Sequence, residues 1–150
     1  MATQKQFKNR RAFYDFHVLE KVECGVVLRG SEIKSIRDGK INLTDSHARI
    51  MGGEVILLGC HIAEYKNASH FGHEPTRPRK LMLHRAEIRK LEKRVEGKGF
   101  TLIPLRLYFN KRGYAKVELG ICQGKQLHDK RQSKKSRDAD REVQRELSKY

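Results

Sequence analysis

Apolar and polar residues alternate along much of the chain between residues 17 and 122, which predicts a series of half-buried β-strands. The first strand is long and carries its apolar residues on one face: Val18, Val22, Cys24, Val26 and Leu28. A hairpin is predicted at Gly52-Gly53, because both glycines can adopt the positive φ angles that a two-residue turn needs. The apolar face around that turn is predicted to hold Ala48, Ile50, Ile56, Leu58, Cys60 and Ile62.

A second hairpin is predicted between residues 103 and 121, with its turn at Asn110-Lys111-Arg112-Gly113. Its two strands each have an apolar face: Ile103, Leu105, Leu107 and Phe109 on the first, and Ala115, Val117, Leu119 and Ile121 on the second. Polar residues alternate with the second set and point the other way. One solvated face and one buried face are typical of an antiparallel sheet.

Two short helices interrupt the strands. Ser31 is a suitable N-cap for the first helix, and Gly39 can end it. The second helix covers about residues 85–96, where apolar residues repeat at helical spacing: Ile88, Leu91 and Val95. Short antiparallel strands with helices at their ends predict a mainly β fold, a closed or nearly closed small barrel of the oligonucleotide-binding type.

The apolar content falls sharply from Gln123 onward, so we predict a barrel domain, residues 1–122, and a basic tail, residues 123–150. The tail has one thin apolar stripe: Ala139, Val143, Leu147 and Tyr150. This stripe buries too little surface to fold alone, so we expect a tail that is disordered when free and helical on a partner. A basic amphipathic membrane helix is the alternative, but the five acidic residues of the tail would repel anionic lipid.

The charge balance narrows the range of possible functions. The 150 residues include 33 Lys and Arg against 18 Asp and Glu, which gives a net charge of +15. Such a chain needs a polyanionic partner, nucleic acid first and an anionic membrane surface second. No apolar run approaches the ~18 residues of a membrane span, and residues 1–11 lack the apolar core of a secretion signal. We therefore expect a cytoplasmic protein.

Metal and cofactor chemistry is not expected. The three cysteines, Cys24, Cys60 and Cys122, are widely spaced and each lies in an apolar run. That placement predicts buried, reduced thiols and lacks the paired short spacings of a structural zinc site. His70 and His73 have no third ligand at a useful spacing.

Three segments are candidates for binding phosphates. In the first, Lys34 and Arg37 lie three residues apart and can share the exposed face of a helix, although a merely solvated helix is equally consistent with the pattern. Glu32 is unexpected on such a face, unless it accepts hydrogen bonds from a base edge or from a nearby arginine.

In the second segment, Pro75 and Pro78 stiffen the backbone that presents Arg77, Arg79 and Lys80, which lowers the entropy lost on docking. The third segment begins the tail, where the imidazole of His128 can stack on an unpaired base between flanking cations. An acid–base role for His128 is the alternative, but no partner for it can be placed.

Taken in order, these segments closely resemble the small protein B family, the SsrA-binding proteins, over nearly the whole chain. The matching segments are Asn9-Arg10-Arg11-Ala12, residues 25–35, Asn42-Leu43-Thr44-Asp45, His61-Ile62-Ala63-Glu64-Tyr65, residues 79–84, residues 104–109 and residues 124–131. The resemblance implies a six-stranded antiparallel barrel with three helices that grips the elbow of the tRNA-like domain of transfer-messenger RNA. It also implies that Glu32 is needed for RNA binding and that residues 124–131 reach the decoding centre of the small ribosomal subunit. The rest of the tail would become helical in the empty mRNA channel.

Residues and resemblance together predict a monomeric RNA-binding factor for ribosome rescue, without catalytic activity and without a membrane role. Its partners are transfer-messenger RNA and the ribosome with its 16S rRNA. The RNA-binding residues of the barrel are predicted to be Asn9, Arg10, Arg11, Glu32, Lys34, Ser35, Arg37, Asn42, Arg77, Arg79 and Lys80. The decoding-centre residues of the tail are predicted to be Gly124, Lys125, His128, Asp129, Lys130 and Arg131.

Two other classes of function remain open at this point. One is a generic ribosomal or initiation-type barrel protein, which would bind ribosomal RNA without preferring a tRNA-like shape. The other is a metal-independent ribonuclease that uses His84 or His128 with a nearby carboxylate.

Overall fold

The computed structural model describes residues 5–65, 72–96 and 99–125, together with six positions of the tail at 131, 135, 137, 138, 141 and 145. The strands are β1 (Gln6–Lys8), β2 (Phe16–Val26), β3 (Ile41–Asn42), β4 (His47–Met51), β5 (Glu54–Leu58), β6 (His61–Ile62), β7 (Arg79–Met82), β8 (Thr101–Phe109) and β9 (Ala115–Gly124). The helices are α1 (Arg10–Asp15), α2 (Gly30–Arg37) and α3 (Arg85–Val95).

Six of the strands form a ring. The order of pairing is β8-β4-β5-β7-β2-β9, and β9 returns to pair with β8. Strand β1 adds to the far half of β8, and β3 pairs with β6 in a separate two-stranded sheet. Every pairing is antiparallel. The predicted mainly β fold with an antiparallel sheet and short helices is thus confirmed.

Both predicted hairpins are present. Gly52 and Gly53 have φ angles of 58° and 76°, and the turn pairs Met51 with Glu54. The second turn ends at Gly113, whose φ is 82°. Helix α3 packs Leu91 into the core with Ile88 and Val95 beside it, as the helical spacing predicts.

The face predicted for β8 is wrong in its first half, because the strand contains a bulge. The register with β9 shifts between Pro104 and Arg106, so Leu105 has no partner on β9. Beyond the bulge, Leu107 faces the main core with Leu102. Ile103, before the bulge, and the bulged Leu105 face a second, smaller cluster that also contains Ala12 of α1 and Cys122. A bulge inserts one residue and so reverses the alternation that a sequence pattern assumes.

The side chain of the bulged Leu105 packs against a glycine in the neighbouring strand. A Cβ on Gly120 would lie 2.8 Å from Cδ1 of the fully buried Leu105. We expect Gly120→Ala to lower the free energy of unfolding by about 1–3 kcal/mol, since overpacking a closed core forces side chains off their rotamers. Urea denaturation measures the change. Gly30→Ala is the matched control, because a Cβ there has nothing within 4 Å; an equal loss in both variants would contradict this explanation.

The buried face of β5 is also the opposite of the predicted one. Val55 and Leu57 are buried, whereas Ile56 and Leu58 are only partly covered. The run of four apolar residues from 55 to 58 gives no alternation, so the face is decided by the tight turn, which pairs Ile50 with Val55 and Ala48 with Leu57. After Gly59, whose φ is 75°, Cys60 and Ile62 lie inward again, as predicted.

Helix α2 begins two residues earlier than predicted. The N-cap is Arg29 and not Ser31, and the backbone N–H of Arg29 donates to Oε1 of Glu32 at 2.7 Å. The helix ends as predicted, with Gly39 at a φ of 78°. Because the helix starts at Gly30, its inward face holds two polar residues, Glu32 and Ser35, beside Ile36.

The three cysteines are free and buried, as predicted. Burial raises the pKa of the Cys24 thiol to about 12 and those of Cys60 and Cys122 to about 11. The thiols are therefore protonated near neutral pH and act as small apolar side chains in the core.

Candidate nucleic-acid interface

A buried ion cluster lies beneath the predicted RNA-binding segments and consists of Glu32, Arg77 and Arg79. Arg77 donates from Nε to both carboxylate oxygens of Glu32 at 3.1 Å, and its Nη2 donates to Oε1. Arg79 donates from Nε to Oε2. The side chains of Glu32 and Arg79 have no exposed surface, while that of Arg77 keeps 20%. We call these three residues the Glu32 cluster.

The hydrogen bonds of the Glu32 cluster hold two segments together. Arg79 also donates to the carbonyl of Cys60 at 2.7 Å and to that of Pro75 at 3.0 Å. Burial raises the pKa of Glu32, but hydrogen bonds from Arg77, the Arg29 backbone and Arg79 outweigh it, so the pKa lies below its usual value. Glu32 is thus an anion that ties helix α2 to the proline-containing segment before β7.

His73 adds a second tie between the same segments. Its Nε2 lies 2.9 Å from the carbonyl oxygen of Ile62, and its Nδ1 lies 2.8 Å from Oγ of Ser31. A carbonyl only accepts, so Nε2 carries the proton and donates, and in the neutral ring Nδ1 accepts from the Ser31 hydroxyl. His73 is therefore a structural link inside the fold, with both ring nitrogens engaged in hydrogen bonds.

Four of the predicted RNA contacts have buried side chains: Asn9, Glu32, Ser35 and Arg79. Asn9 caps α1 and donates from Nδ2 to the carbonyls of Leu43 and Pro104 at 3.1 and 3.0 Å. Ser35 donates to the carbonyl of Ala63 at 2.7 Å. These side chains hold elements of the fold in position through their hydrogen bonds, and their part in RNA binding stays a prediction. The sequence could not show their burial, because polar residues are usually exposed.

The remaining barrel candidates reach solvent: Arg10, Arg11, Lys34, Arg37, Asn42 and Lys80 are exposed, and Arg77 is half-buried. Lys34 lies over the ring of Tyr65 and Arg37 over that of Phe109, each with its charged group 5.5 Å from the ring centre. Both cations share the outer face of α2, as their spacing predicts. Aromatic rings beneath them fix their position without neutralising their charge.

A shallow groove of about 410 Å³ lies between β1 and β3 and is lined by Gln6, Phe7, Lys8, Arg10, Ile41, Asn42 and Leu43. We call it the basic groove, since its charged lining residues are both cations. Within the part of the chain that the structure describes, neither Lys8 nor Arg10 has an acidic side chain within 4.0 Å. Nearby, Nζ of Lys5 donates to the carbonyl of Arg37 at 2.9 Å, which joins β1 to the end of α2.

Lys5 and Lys8 are not among the residues that the sequence predicts to bind RNA. The signal was present, since the first acidic residue of the chain is Asp15. What the sequence could not supply was the pairing of β1 with β8, which brings the N-terminal segment beside β3 and α2. That placement joins Arg10 and Asn42 in one groove although they are 32 positions apart.

Some cations on other faces of the ring have acidic neighbours. Arg106 and Lys21 lie 2.9 and 3.6 Å from Glu118, and Lys80 lies 3.1 Å from Glu54. On the same outer face, burial raises the pKa of Tyr108 to about 12, and its hydrogen bond to Glu23 adds to the rise. Among the described residues, Lys8, Arg10, Lys34 and Arg37 have no acidic side chain within 4.0 Å, so the face formed by β1, α2 and β3 is a candidate surface for a polyanion.

The predicted tail residues are only partly described. Gly124 is the last residue of β9, Lys125 follows it, and Arg131 is an exposed helical position. His128, Asp129 and Lys130 lie outside the described residues. All six described positions beyond residue 125 are helical in the structure. Disorder of the free tail stays a prediction.

Two features are absent from the described residues: a metal-binding cluster and a membrane-spanning helix. Those residues contain no group of three or more His, Cys, Asp or Glu side chains that could hold a metal ion. No helix among the positions described is both long enough and apolar enough to cross a membrane.

Known proteins resemble this chain in sequence and in fold. The SmpB protein family matches residues 6–149. The SsrA-binding protein of Carboxydothermus hydrogenoformans is 51% identical over 140 residues, 93% of each chain. That of Desulfitobacterium hafniense (strain DSM 10664 / DCB-2) is 54% identical over 137 residues, 91% of this chain and 87% of the relative.

A solved structure described as "tmRNA-SmpB: a journey to the center of the bacterial ribosome" matches with a TM-score of 0.69 and 48% identity, covering 81% of this chain and 85% of that one. The family match spans nearly the whole chain, and the relatives agree with it in sequence and in fold. The chain therefore belongs to the SmpB protein family.

Proposed function

We propose that this protein binds the tRNA-like domain of transfer-messenger RNA and carries that RNA to stalled ribosomes. The observation that carries the proposal is the cationic face of β1, α2 and β3, whose basic groove is lined by no acidic residue. Its relatives bear the name SsrA-binding protein, and a similar solved structure is of tmRNA with SmpB on the ribosome. Such a role belongs in the cytoplasm.

The barrel supplies affinity and selectivity by different means. Lys8, Arg10, Lys34 and Arg37 neutralise phosphates and release condensed counterions, a gain that any RNA provides. Selectivity for a tRNA elbow comes from shape, because side chains cannot read the deep, narrow major groove of an A-form helix. Shape recognition needs a rigid surface, and the Glu32 cluster together with His73 supports α2 from beneath.

The tail supplies the second surface and no chemistry of its own. In this proposal Gly124, Lys125, His128, Asp129, Lys130 and Arg131 reach the decoding centre, where the His128 ring stacks on a base. The following residues become helical in an mRNA channel that is empty. Binding then provides the free energy that orders the part of the tail without contacts to the barrel, so occupancy of the channel by mRNA prevents docking.

The first experiment is equilibrium binding to the isolated tRNA-like domain of transfer-messenger RNA, with a hairpin of the same length as competitor, at two salt concentrations. We expect a strong preference for the tRNA-like domain that persists at the higher salt. Equal affinities that fall together with salt would contradict the proposal and favour a generic ribosomal barrel protein.

The ribonuclease alternative is tested with the same materials. His84 lies at the start of α3, where its backbone N–H donates to Glu87 at 3.4 Å as part of the helix cap. We expect labelled RNA to remain intact after incubation with the protein. Cleavage that follows the protein through purification would contradict a purely binding role.

Removing the two cations of the basic groove tests the assigned face. We expect Lys8→Ala/Arg10→Ala to weaken binding to all RNAs and to reduce the slope of log K against log salt by about 1.5, since each lost phosphate contact contributes about 0.7–0.9. Arg89→Ala/Lys93→Ala on α3 is the matched control, because it removes the same charge from a helix away from this face. Equal losses in both double variants would show that only net charge matters.

A further inference from the structure

Helix α1 connects the two proposed surfaces, because its two ends meet different parts of the chain. At its start, Arg10 lines the basic groove and Asn9 caps the helix. At its end, β2 begins at Phe16, which pairs with Gly124 at the end of β9. The tail therefore leaves the ring of strands beside the last turn of α1.

Lys125 binds that last turn through two hydrogen bonds. Its backbone N–H donates to the carbonyl of Asp15 at 2.8 Å, and its Nζ donates to the carbonyl of Phe13 at 3.0 Å. The last carbonyls of a helix have no partner within the helix and carry partial negative charge, so an ammonium group is a favourable partner for them. The first hydrogen bond extends the β2–β9 ladder by one residue beyond Gly124.

Tyr14, on the same turn, makes a further contact with the tail. The guanidinium of Arg137 lies 5.0 Å from the centre of the Tyr14 ring, a cation–π distance. Arg137 is one of the helical positions described beyond residue 125. The last turn of α1 thus contacts the tail at its root and again twelve residues later.

From these contacts we propose that Lys125 and Tyr14 are positioning residues that fix the direction in which the tail leaves the barrel. We call the last turn of α1 with these two side chains the tail anchor. RNA held at the start of α1 and the tail held at its end then share one rigid six-residue element. The functional part of this inference rests on the proposed function, because a fixed direction matters only if the tail must reach a site while the barrel holds RNA.

The test measures the anchor directly with two spin labels on the full chain, at Tyr114→Cys and Lys135→Cys, both exposed positions. The native cysteines are buried and are expected to remain unlabelled. We expect one narrow distance in this parent protein, because residue 135 lies between the two anchored positions 125 and 137, whereas the tail beyond Arg137 becomes ordered only on a partner. Lys125→Met and Tyr14→Ala should each lose that peak. Tyr14→Phe, which keeps the ring, and Lys93→Met, which removes one charge from α3, should retain it.

An unchanged distance distribution in Lys125→Met and Tyr14→Ala would overturn the inference, and so would a parent protein without a preferred distance. If Lys125→Met does not fold by circular dichroism, the comparison of Tyr14→Ala with Tyr14→Phe decides the matter. A functional readout follows: Tyr14→Ala should tag stalled chains more slowly than Tyr14→Phe while binding the isolated tRNA-like RNA equally well. Failure of the wild-type protein to bind that RNA would refute the proposed function and leave the distance result standing.

Discussion

Replacing Glu32 with glutamine is expected to lower the free energy of unfolding by about 3–5 kcal/mol, because it leaves buried arginine charge without a partner. The side chain of Arg79 has no exposed surface and donates to Glu32, and Arg77 keeps only 20% of its surface exposed. Urea denaturation followed by circular dichroism measures the loss. Glutamine has nearly the shape of glutamate, so the change reports on charge and hydrogen bonding and not on a cavity.

Glu54→Gln is the matched control, since it removes the same charge from an ion pair on the surface. Glu54 lies 3.1 Å from Lys80, and both side chains are about half exposed. An exposed pair of this kind contributes at most about 1 kcal/mol. Similar losses in the two variants would contradict the central place that we give to the Glu32 cluster.

The Glu32→Gln variant also tests how the contribution of Glu32 to the free energy of unfolding depends on pH. The pKa of Glu32 is lower in the folded protein than its usual value. A carboxylate whose pKa is depressed by folding stabilises the protein above its unfolded pKa, and this contribution is lost as the pH falls through the folded pKa. We therefore expect the stability difference between wild type and Glu32→Gln to be constant at neutral pH and to shrink in acid. A difference that grows in acid would be the contrary result.

Glu32 also links stability to RNA binding. The cluster supports α2, which presents Lys34 and Arg37. We therefore expect Glu32→Ala to weaken binding to the tRNA-like domain first, and to impair the role of the tail on the ribosome less. The measurement is RNA affinity at a temperature where the variant remains folded. Unchanged affinity in a folded Glu32→Ala variant would show that the support of α2 is not needed for binding.

Deleting residues 132–150 is expected to abolish tagging on stalled ribosomes and to leave affinity for the isolated tRNA-like domain nearly unchanged. The deleted segment holds six Lys or Arg and four Asp or Glu, so it removes a net +2 of the total +15. The basic groove and α2 are untouched by the deletion. Binding to the RNA domain and tagging in a ribosome assay are measured on the same preparation.

The outcome of the deletion distinguishes a protein with separate surfaces for the RNA and for the ribosome from a protein with a single shared surface. Loss of RNA affinity together with tagging would show that the tail contributes to RNA binding, and the two-surface proposal would fail. Retention of tagging would show that the tail beyond Arg131 is not needed on the ribosome. Arg89→Ala/Lys93→Ala serves as a control here too, since it removes the same net charge of +2 from the folded part.

The sequence by itself determined the features that depend on neighbours along the chain. Alternation of apolar and polar residues predicted the antiparallel strands, and glycine placed both hairpin turns, because only glycine adopts positive φ without strain. Spacing of three residues put Lys34 and Arg37 on one exposed helical face. The excess of positive charge alone was enough to indicate a polyanionic partner.

Two errors in the predicted core faces have one physical cause. The face that a strand buries is set by its register with the next strand, and register is a property of two segments. The unpaired Leu105 reverses the alternation of β8. The Gly52-Gly53 turn decides which half of the apolar run in β5 lies inward, so Val55 and not Ile56 is buried.

The candidate site likewise has features that the sequence predicts and features that depend on the tertiary structure. Only the tertiary structure decided which polar residues are surface and which are support, because burial of Glu32 and Arg79 depends on segments 47 positions apart that neutralise each other. It also decided that β1 lies beside β3, which creates the basic groove, and that Lys125 meets the end of α1. Composition and local spacing fix charge and periodicity, whereas the pairing of distant strands fixes which charges remain free to bind RNA.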